Sequence, residues 1–483
     1  MQIKTIMRLL GLLLMIFSLS MLSPLVINVI FHESLWFPFT TAFGLTLVTG
    51  ILLWLPNRKH LRELKIRDGF LLVILFWFVL CFFGALPFFF AVGDINNLTN
   101  ALFESVSGFT TTGASVLDHL EALPHAILFY RQQLQFLGGM GIIVLAVAIL
   151  PMLGVGGMQL FRAETPGPMK DTKLTPRITQ TAKALWFIYF FLTLLCMLCY
   201  WWAGMDWFDA LGESFATVST GGFCMHSQSF MYYQNDAIES IACCFMLLGG
   251  TNFALHFLAF KNHNLKPYWQ DEEFRCYFSI IVTTTVIITL SLIHYHFFDN
   301  NVHAWIKSLF NVISLTTTTG FVSAPFASWP TYIPTLLMLL ALIGGCAAST
   351  SGGVKVLRAL LLYKQSRREI TRLVHPQAII PIKFGKHSLP EPVLQSMWGF
   401  ISAFIALFLV LMILFMSFGN DFTTAFSAIT ASLANAGSGL GQVQTSFAGL
   451  NTPSKWLLII AMLAGRLEIF SLLILCTKAF WQR

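Results

Sequence analysis

The amino-acid sequence predicts an all-α, polytopic membrane protein with ten transmembrane spans. These spans form an N-terminal helix pair and four span–pore half-helix–span repeats around one central pore. Three observations predict this fold class. Of the 483 residues, 56% are apolar and 11% are charged, whereas a soluble domain carries about 25% charged residues. The apolar residues form ten long runs, and a polar stretch ending in glycine recurs four times between them. This composition excludes a soluble enzyme and a nucleic-acid-binding protein.

The ten apolar runs are long enough to cross a bilayer, whose core requires about 20 residues of helix. They cover approximately residues 9–31, 35–55, 70–92, 126–151, 184–203, 238–260, 277–297, 332–362, 394–418 and 456–480. Lys4 and Arg8 precede the first run, as basic residues precede a signal peptide. That run is too long for a signal peptide and no small-residue cleavage site follows it, so we expect a retained span.

Basic residues are concentrated in alternate connections between the spans. The four basic groups are Arg58, Lys59, Arg62, Lys65 and Arg67; Arg162, Lys170, Lys173 and Arg177; Lys261, Lys266 and Arg275; and Lys364, Arg367, Arg368, Arg372, Lys383 and Lys386. The intervening connections contain almost none, with Lys307 the clear exception. Because basic connections stay in the cytoplasm, ten spans place both termini there as well.

The outer connections contain a fourfold internal repeat. Each has a short segment, too short to span, that ends in Thr, Ser, Asn and Gly residues; the four stretches are 103–113, 212–222, 310–320 and 427–437. Their final glycines are 109, 98 and 117 residues apart. The repeat predicts an N-terminal two-helix domain at 1–69 and pore repeats at 70–165, 166–265, 266–375 (with an intramembrane loop) and 376–483.

The chemistry of such stretches favours a cation. Irregular backbone at membrane depth is tolerated only when it lines a water-filled cavity or is buried in protein. Four stretches around one axis can present rings of backbone carbonyls, which replace the hydration shell of an ion. The half-helices before them direct their negative C-terminal ends toward that axis. Glycine ends each stretch because a Cβ there would clash or require an unfavourable φ.

The repeated unit resembles the Trk/Ktr/HKT superfamily of potassium transporters. Further stretches that resemble it are 55–58, 123–131, 138–141, 153–159, 344–346 and 465–468, so the resemblance covers essentially the whole chain. It implies K+ uptake across the bacterial inner membrane through a selectivity filter that also passes Rb+ and some Na+. It also implies a homodimer and a cytoplasmic TrkA-type regulatory ring that binds NAD(H) or adenine nucleotides.

By position, the resemblance implies which residues supply the filter carbonyls for K+. They are Thr111, Thr112 and Gly113; Thr220, Gly221 and Gly222; Thr318, Thr319 and Gly320; and Asn435, Ala436 and Gly437. Each stretch keeps one glycine where tetrameric potassium channels have Thr-Val-Gly-Tyr-Gly. Because the four quarters differ, we expect the filter to be less strictly selective for K+ over Na+.

Two features predict a gate below the filter. Residues 344–353 are all small and include Gly344, Gly345, Gly352 and Gly353, a composition that disfavours helix. We expect a flexible loop; a small-residue helix-packing surface is the alternative. Arg466 lies within the last span, where a charge costs about 2.5–3.5 kcal/mol. A structural salt bridge is its alternative, while the resemblance implies an arginine that repels cations below the filter.

Two other functions remain open from the sequence. An ion-coupled (H+ or Na+) secondary transporter of K+ or another small cation would need inverted repeats, whereas these four run in one direction. A membrane enzyme would need clustered acid–base or metal-binding residues within its spans, which are absent apart from Arg466. No phosphate-binding Gly-Lys-Ser/Thr follows the glycine-rich run. We therefore predict a non-enzyme without an organic cofactor, whose nucleotide dependence enters through a partner. The basic connection 364–386 is either the docking surface of that partner or a solvated cytoplasmic loop.

Overall fold

The computed structural model describes residues 2–60, 65–91, 97–144, 178–330, 332–385, 387–475 and 477–482. Several sequence predictions lie outside these residues. They are Arg62, the basic connection with Arg162, Lys170, Lys173 and Arg177, Lys386, the stretch 153–159, the boundary at 165/166 and the end of the span 126–151.

The described chain is mostly helical. Its α-helices are Ile3–Ser20, Ser23–Ile30, Trp36–Trp54, Ile66–Gly84, Leu86–Phe90, Leu98–Phe109, His125–Val144, Ile178–Trp202, Trp207–Val218, Asp236–Gly249, Phe253–Asn262, Lys266–Gln270, Glu272–His294, Asn301–Thr316, Tyr332–Ile343, Val356–Val374, Glu391–Ser417, Phe422–Leu433, Thr452–Arg466, Phe470–Leu475 and Lys478–Trp481. The all-α prediction omitted one antiparallel hairpin, in which Lys383–Phe384 pairs with His387–Ser388. Gly385, with a φ of +57°, provides its turn.

The apolar helices confirm a helical membrane protein. Among the described residues, six helical segments are long and apolar enough to cross a membrane, or seven if the bent pair Asp236–Gly249 and Phe253–Asn262 is one span. The six correspond to the predicted spans 9–31, 35–55, 70–92, 184–203, 277–297 and 394–418. Lys307, the exception in the charge pattern, forms an ion pair with Glu239, whose side chain is fully buried.

The predicted spans 9–31 and 70–92 each consist of two consecutive helices, and three other spans are broken more sharply. The segment 238–260 bends by 97° between its two helices. The segment 332–362 leaves the helix after Ile343, because Gly344 has a φ of +79°, and re-enters it at Val356. The segment 456–480 is interrupted after Arg466, where Glu468 and Ile469 have φ values of +52° and +31°.

Four short helices correspond to the predicted half-helices, and we number them in chain order. Half-helices 1 to 4 are Leu98–Phe109, Trp207–Val218, Asn301–Thr316 and Phe422–Leu433. Each begins after an Asn or Asp whose side chain accepts a backbone N–H of the first turn; these residues are Asn97, Asp206, Asn300 and Asp421. Such side chains satisfy donors that have no partner within the helix.

Four inner helices connect the half-helices into a closed ring. Each inner helix packs against the half-helix of its own repeat and against that of the next repeat. His125–Val144 packs against half-helices 1 and 2, Asp236–Gly249 against half-helices 2 and 3, Tyr332–Ile343 against half-helices 3 and 4, and Thr452–Arg466 against half-helices 4 and 1. The last contact joins the end of the chain to its beginning. All four half-helices therefore surround one common axis.

Candidate functional site

The four half-helices end in the same backbone motif. In each, a residue in the left-handed conformation follows the helix: Thr111, Thr220, Thr318 and Asn435, with φ values of +50°, +50°, +55° and +54°. The next N–H bonds back to the helix, from Thr112 to Ser107 O (2.8 Å), Gly221 to Ala216 O (2.8 Å), Thr319 to Ser314 O (2.8 Å) and Ala436 to Ala431 O (2.7 Å). This is the Schellman motif, which usually contains glycine at the left-handed position.

Threonine at these positions is strained. A β-branched residue at positive φ is rare, and the left-handed conformation costs about 1–2 kcal/mol per residue. Strain of this kind persists only where surrounding contacts stabilise it, and it is concentrated at functional sites.

The four final glycines form a closed ring with the carbonyl oxygens of the neighbouring stretches. Gly113, Gly222, Gly320 and Gly437 have φ values of +82°, +83°, +83° and +71°. A Cβ added to each would lie 2.3 Å from Gly221 O, 1.9 Å from Thr319 O, 2.0 Å from Ala436 O and 2.3 Å from Thr112 O, respectively. Each glycine thus faces the next stretch and the fourth faces the first. We call this arrangement the glycine ring; no side chain fits within it.

The ring brings all twelve residues of the predicted filter into four adjacent stretches. On the side of the segments that follow the ring glycines lies a cavity of about 140 Å³, which is lined by all four glycines together with Ser115, Arg131 and Ser438. The C-terminal ends of the half-helices, which carry partial negative charge, stop at the ring. Carbonyl oxygens and helix ends together make this axis attractive to a cation.

An irregular stretch passes directly below the ring. Thr220 Oγ1 lies 3.1 Å from Thr350 Oγ1, and the N–H of Gly352 donates to Thr318 Oγ1 at 2.7 Å. A Cβ on Gly352 would lie 2.0 Å from the carbonyl oxygen of Ala434. Residues 350–352 are buried and contact stretches two, three and four of the ring.

Arg466 completes this layer. Its Nη2 donates to Thr111 Oγ1 and to the carbonyl oxygen of Thr350, the latter at 2.9 Å. The side chain is 7% exposed, and no carboxylate among the described residues pairs with it. Glu468 is paired instead with Arg358 at 3.0 Å. The left-handed threonines of stretches one to three therefore bond to the irregular stretch or to Arg466.

Arg466 stands where the other inner helices have glycine. The first three repeats have Gly-Gly within, at the end of or directly after this helix, at 138–139, 249–250 and 344–345, and the fourth has Gly465-Arg466. A Cβ on Gly138 would lie 2.0 Å from Phe109 O, and one on Gly465 would lie 2.2 Å from Leu433 O. In repeats 1, 2 and 4 the first residue of the pair thus allows close contact with the end of a half-helix, whereas Gly344 faces Gly352 O. The second position, which follows it, contains the arginine only in repeat 4.

The stretch 344–353 is irregular rather than helical, and it pairs with the break in the bent helix. The N–H of Cys346 donates to Gly250 O (2.9 Å), that of Thr350 to Gly249 O (3.3 Å), and that of Phe253 to Ala348 O (3.1 Å). A helix break leaves buried N–H and C=O groups that require partners. The stretch supplies those partners for the helices that meet at 250–252.

Sequence reasoning missed a buried ion pair beside the ring. Arg131 Nε donates to Glu104 Oε1 at 2.6 Å, and the two side chains are 1% and 0% exposed. Arg131 Nη1 also donates to the carbonyl oxygen of Cys224 at 3.2 Å, and its guanidinium lies 4.3 Å from the ring centre of Phe223. The criterion that identified Arg466, a charge within an apolar span, applies equally to Arg131 and would have found it.

Fold and site define a polytopic membrane protein in which four half-helices converge on a cation-attracting axis, the class of cation channels and transporters. Residues 37–483 match the family described as TrkH, cation transport protein, and the chain belongs to that family. Because the family consists of transporters, the prediction of a non-enzyme is confirmed.

Several named relatives extend over the full chain. It is 50% identical to the Trk system potassium uptake protein TrkH of Vibrio parahaemolyticus over 100% of both chains, and 50% identical to that of Escherichia coli K12, again over 100% of both. The Trk system potassium uptake protein TrkG of E. coli K12 is 40% identical over 100% of this chain and 99% of its own. The crystal structure of the potassium transporter TrkH from V. parahaemolyticus matches with a TM-score of 0.92 at 47% identity, covering 100% of each chain.

Proposed function

We propose that this protein takes up K+ along the axis of the glycine ring. The observation that carries the proposal is the closure of that ring, because four glycines each face a carbonyl oxygen of the following stretch. Backbone carbonyls arranged in this way replace the hydration shell of an ion. The twelve filter residues supply them, and the half-helix ends add favourable potential. The names of the full-length relatives, which are potassium uptake proteins, support K+ as the ion. We propose that Rb+ and some Na+ also pass.

The proposed topology has ten spans in the bacterial inner membrane, with both termini in the cytoplasm. Residues 1–69 form the N-terminal pair, and 70–165, 166–265, 266–375 and 376–483 form the four pore repeats. The closed packing of inner helices and half-helices supports this division. The alternation of basic connections supports the orientation.

The proposed gate consists of the stretch 344–353 and Arg466. The stretch obstructs the axis sterically, and the guanidinium repels a cation that leaves the ring. The contacts of Thr350, Gly352 and Arg466 with the left-handed threonines support this position. The basic helix Val356–Val374 continues from the stretch and provides a docking surface for a cytoplasmic TrkA-type nucleotide-binding ring. Two copies of the chain form the membrane unit.

Potassium-limited growth tests the proposal. A bacterial strain without its own K+ uptake systems should grow at low K+ when this chain and a TrkA-type partner are expressed. Gly320→Ser should abolish the rescue or make it sensitive to Na+, because the added side chain meets Ala436 O. Gly44→Ala is the matched control, since its Cβ meets no atom within 4 Å. Absence of rescue, with normal amounts of this chain in the membrane and of the partner in the cell, would overturn the proposal.

A further inference from the structure

One fully buried amide holds the second stretch of the ring from behind. Gln135 lies on the helix His125–Val144 and is 0% exposed. Its Nε2 donates to the carbonyl oxygen of Gly221 at 2.7 Å, and its Oε1 accepts the N–H of Phe223 at 3.1 Å. The two bonds bracket Gly222, so a side chain from repeat 1 determines the backbone on both sides of a ring glycine in repeat 2.

The amide occupies the space of a missing side chain. In stretches one and three the corresponding residues are Thr112 and Thr319, whose hydroxyls lie 2.7 Å from those of Thr110 and Thr317. Gly221 has no such group, and a Cβ built on it would lie 2.5 Å from Gln135 Cδ. Two consecutive glycines are the most flexible backbone in the ring, and Gln135 compensates for this flexibility.

The bonded oxygen belongs to the glycine ring itself. Gly221 O is the atom that Gly113 faces, since a Cβ on Gly113 would lie 2.3 Å from it. A donated hydrogen bond uses acceptor capacity of this oxygen and restricts its direction. The equivalent helix positions, three residues before the glycines 249, 344 and 465, contain Met246, Ala341 and Met462, which have no such donor. The ring is therefore restrained by this device at one quarter.

We propose that Gln135 is a positioning residue that sets the ion selectivity of the ring by fixing the carbonyl oxygen of Gly221. The inference rests on the proposed function, because it assigns a selectivity role within the same filter. Without the amide, Gly221 O can follow a smaller ion inward, and the preference for K+ over Na+ decreases. One neutral hydrogen bond corresponds to about a two- to tenfold change in an equilibrium, and we expect a decrease of that size.

The test compares Rb+ uptake into proteoliposomes in the presence of competing K+ or Na+. Gln135→Met introduces the residue found at the equivalent position in repeat 2 and should lower the K+/Na+ preference about two- to tenfold. Gln133→Met is the matched control, because Gln133 lies on the same helix but donates to Ser20 O at 2.9 Å, away from the ring. It should leave the preference unchanged.

A double variant separates positioning from packing. Gln135→Met with Gly221→Thr reproduces the combination of Met246 in repeat 2 and Thr319 in repeat 3, and it should recover most of the lost selectivity. Gln135→Asn, one methylene shorter, retains an amide that cannot make both bonds, and it should lower the K+/Na+ preference by a smaller factor. It serves as the test if folded Gln135→Met protein cannot be obtained.

The outcomes separate the inference from the proposed function. If the wild-type chain transports no K+, the proposed function is wrong. If the wild type transports K+ while folded Gln135→Met and Gln135→Asn both retain its K+/Na+ preference, only the inference is overturned, and Gln135 is a packing residue. An equal loss of selectivity in Gln133→Met would also overturn it.

Discussion

Alanine at Gly222 tests the glycine ring most directly. The added Cβ would lie 1.9 Å from the carbonyl oxygen of Thr319, whereas real Cβ contacts stay beyond 3.0 Å, so this oxygen must move by about 1.1 Å. The φ of +83° adds about 1–2 kcal/mol of left-handed strain. A carbonyl displaced by that distance no longer matches the ion for which its ring is arranged. We expect the K+/Na+ preference to fall by at least about tenfold, which corresponds to about 1.4 kcal/mol.

Two control variants separate the ring contact from other effects of the substitution. Gly204→Ala introduces alanine at a φ of +98° with no atom within 4 Å of its Cβ, so it reports left-handed strain alone. Gly44→Ala introduces a side chain that meets nothing. Rb+ flux into proteoliposomes with competing Na+ measures selectivity, and membrane abundance verifies folding. Wild-type selectivity in Gly222→Ala, or an equal loss in Gly204→Ala, would refute the assignment of the ring as the filter.

Three further perturbations test the surroundings of the ring. Arg466→Gln should raise Rb+ flux into vesicles that contain this chain alone. The guanidinium and a permeating cation about 5 Å apart, at an effective dielectric constant of about 20, repel by roughly 3 kcal/mol. Unchanged flux at normal abundance of the variant would contradict the gate. Arg131→Met leaves Glu104 buried without its cation and should reduce the free energy of unfolding by about 3–5 kcal/mol, seen as a lower melting temperature in detergent that Glu104→Gln partly restores. Burial alone lowers the pKa of His226, but the hydrogen bond and the charge of Asp209 raise it above its ordinary value. The stabilisation from this pair is fully present below about pH 6.5 and is lost as pH rises through the raised pKa. His226→Ala should therefore lower the melting temperature more at about pH 5.5 than at about pH 9, and equal losses would contradict the pairing.

Much of the architecture could be predicted because it depends on local composition. A run of about 20 apolar residues specifies a span wherever it occurs, and the glycines at 113, 222, 320 and 437 could be aligned by inspection. The small residues at 344–353 indicated a break in the helix for the same reason, since their low helix propensity is a property of the residues themselves. Sequence-based reasoning also identified Arg466, because the cost of a charge within a span does not depend on its partner.

The bend at 249–252 could not be predicted in this way. The run 238–260 contains the less apolar stretch 249–252, but a Gly-Gly pair like the one at 249–250 also lies at 138–139 within an unbroken helix. The pair therefore does not by itself specify a bend. What decides the bend is the stretch 346–350, which lies about 100 residues further along the chain and pairs with the freed backbone groups. A break is stable only where such partners exist, and their presence is a fact of the tertiary structure.

The sequence by itself therefore determined the membrane class and the positions of the four half-helices, and it predicted which residues form the proposed filter. Only the tertiary structure decided that the ring closes from Gly437 to Thr112, and that Arg466 reaches Thr111 across 355 positions of the chain. It also decided the contacts of Gln135, because the sequence does not show whether this amide bonds to Gly221 or to solvent. The physical reason is that spans and turns depend on neighbouring residues, whereas a hydrogen bond between distant residues depends on how the folded elements bring them together.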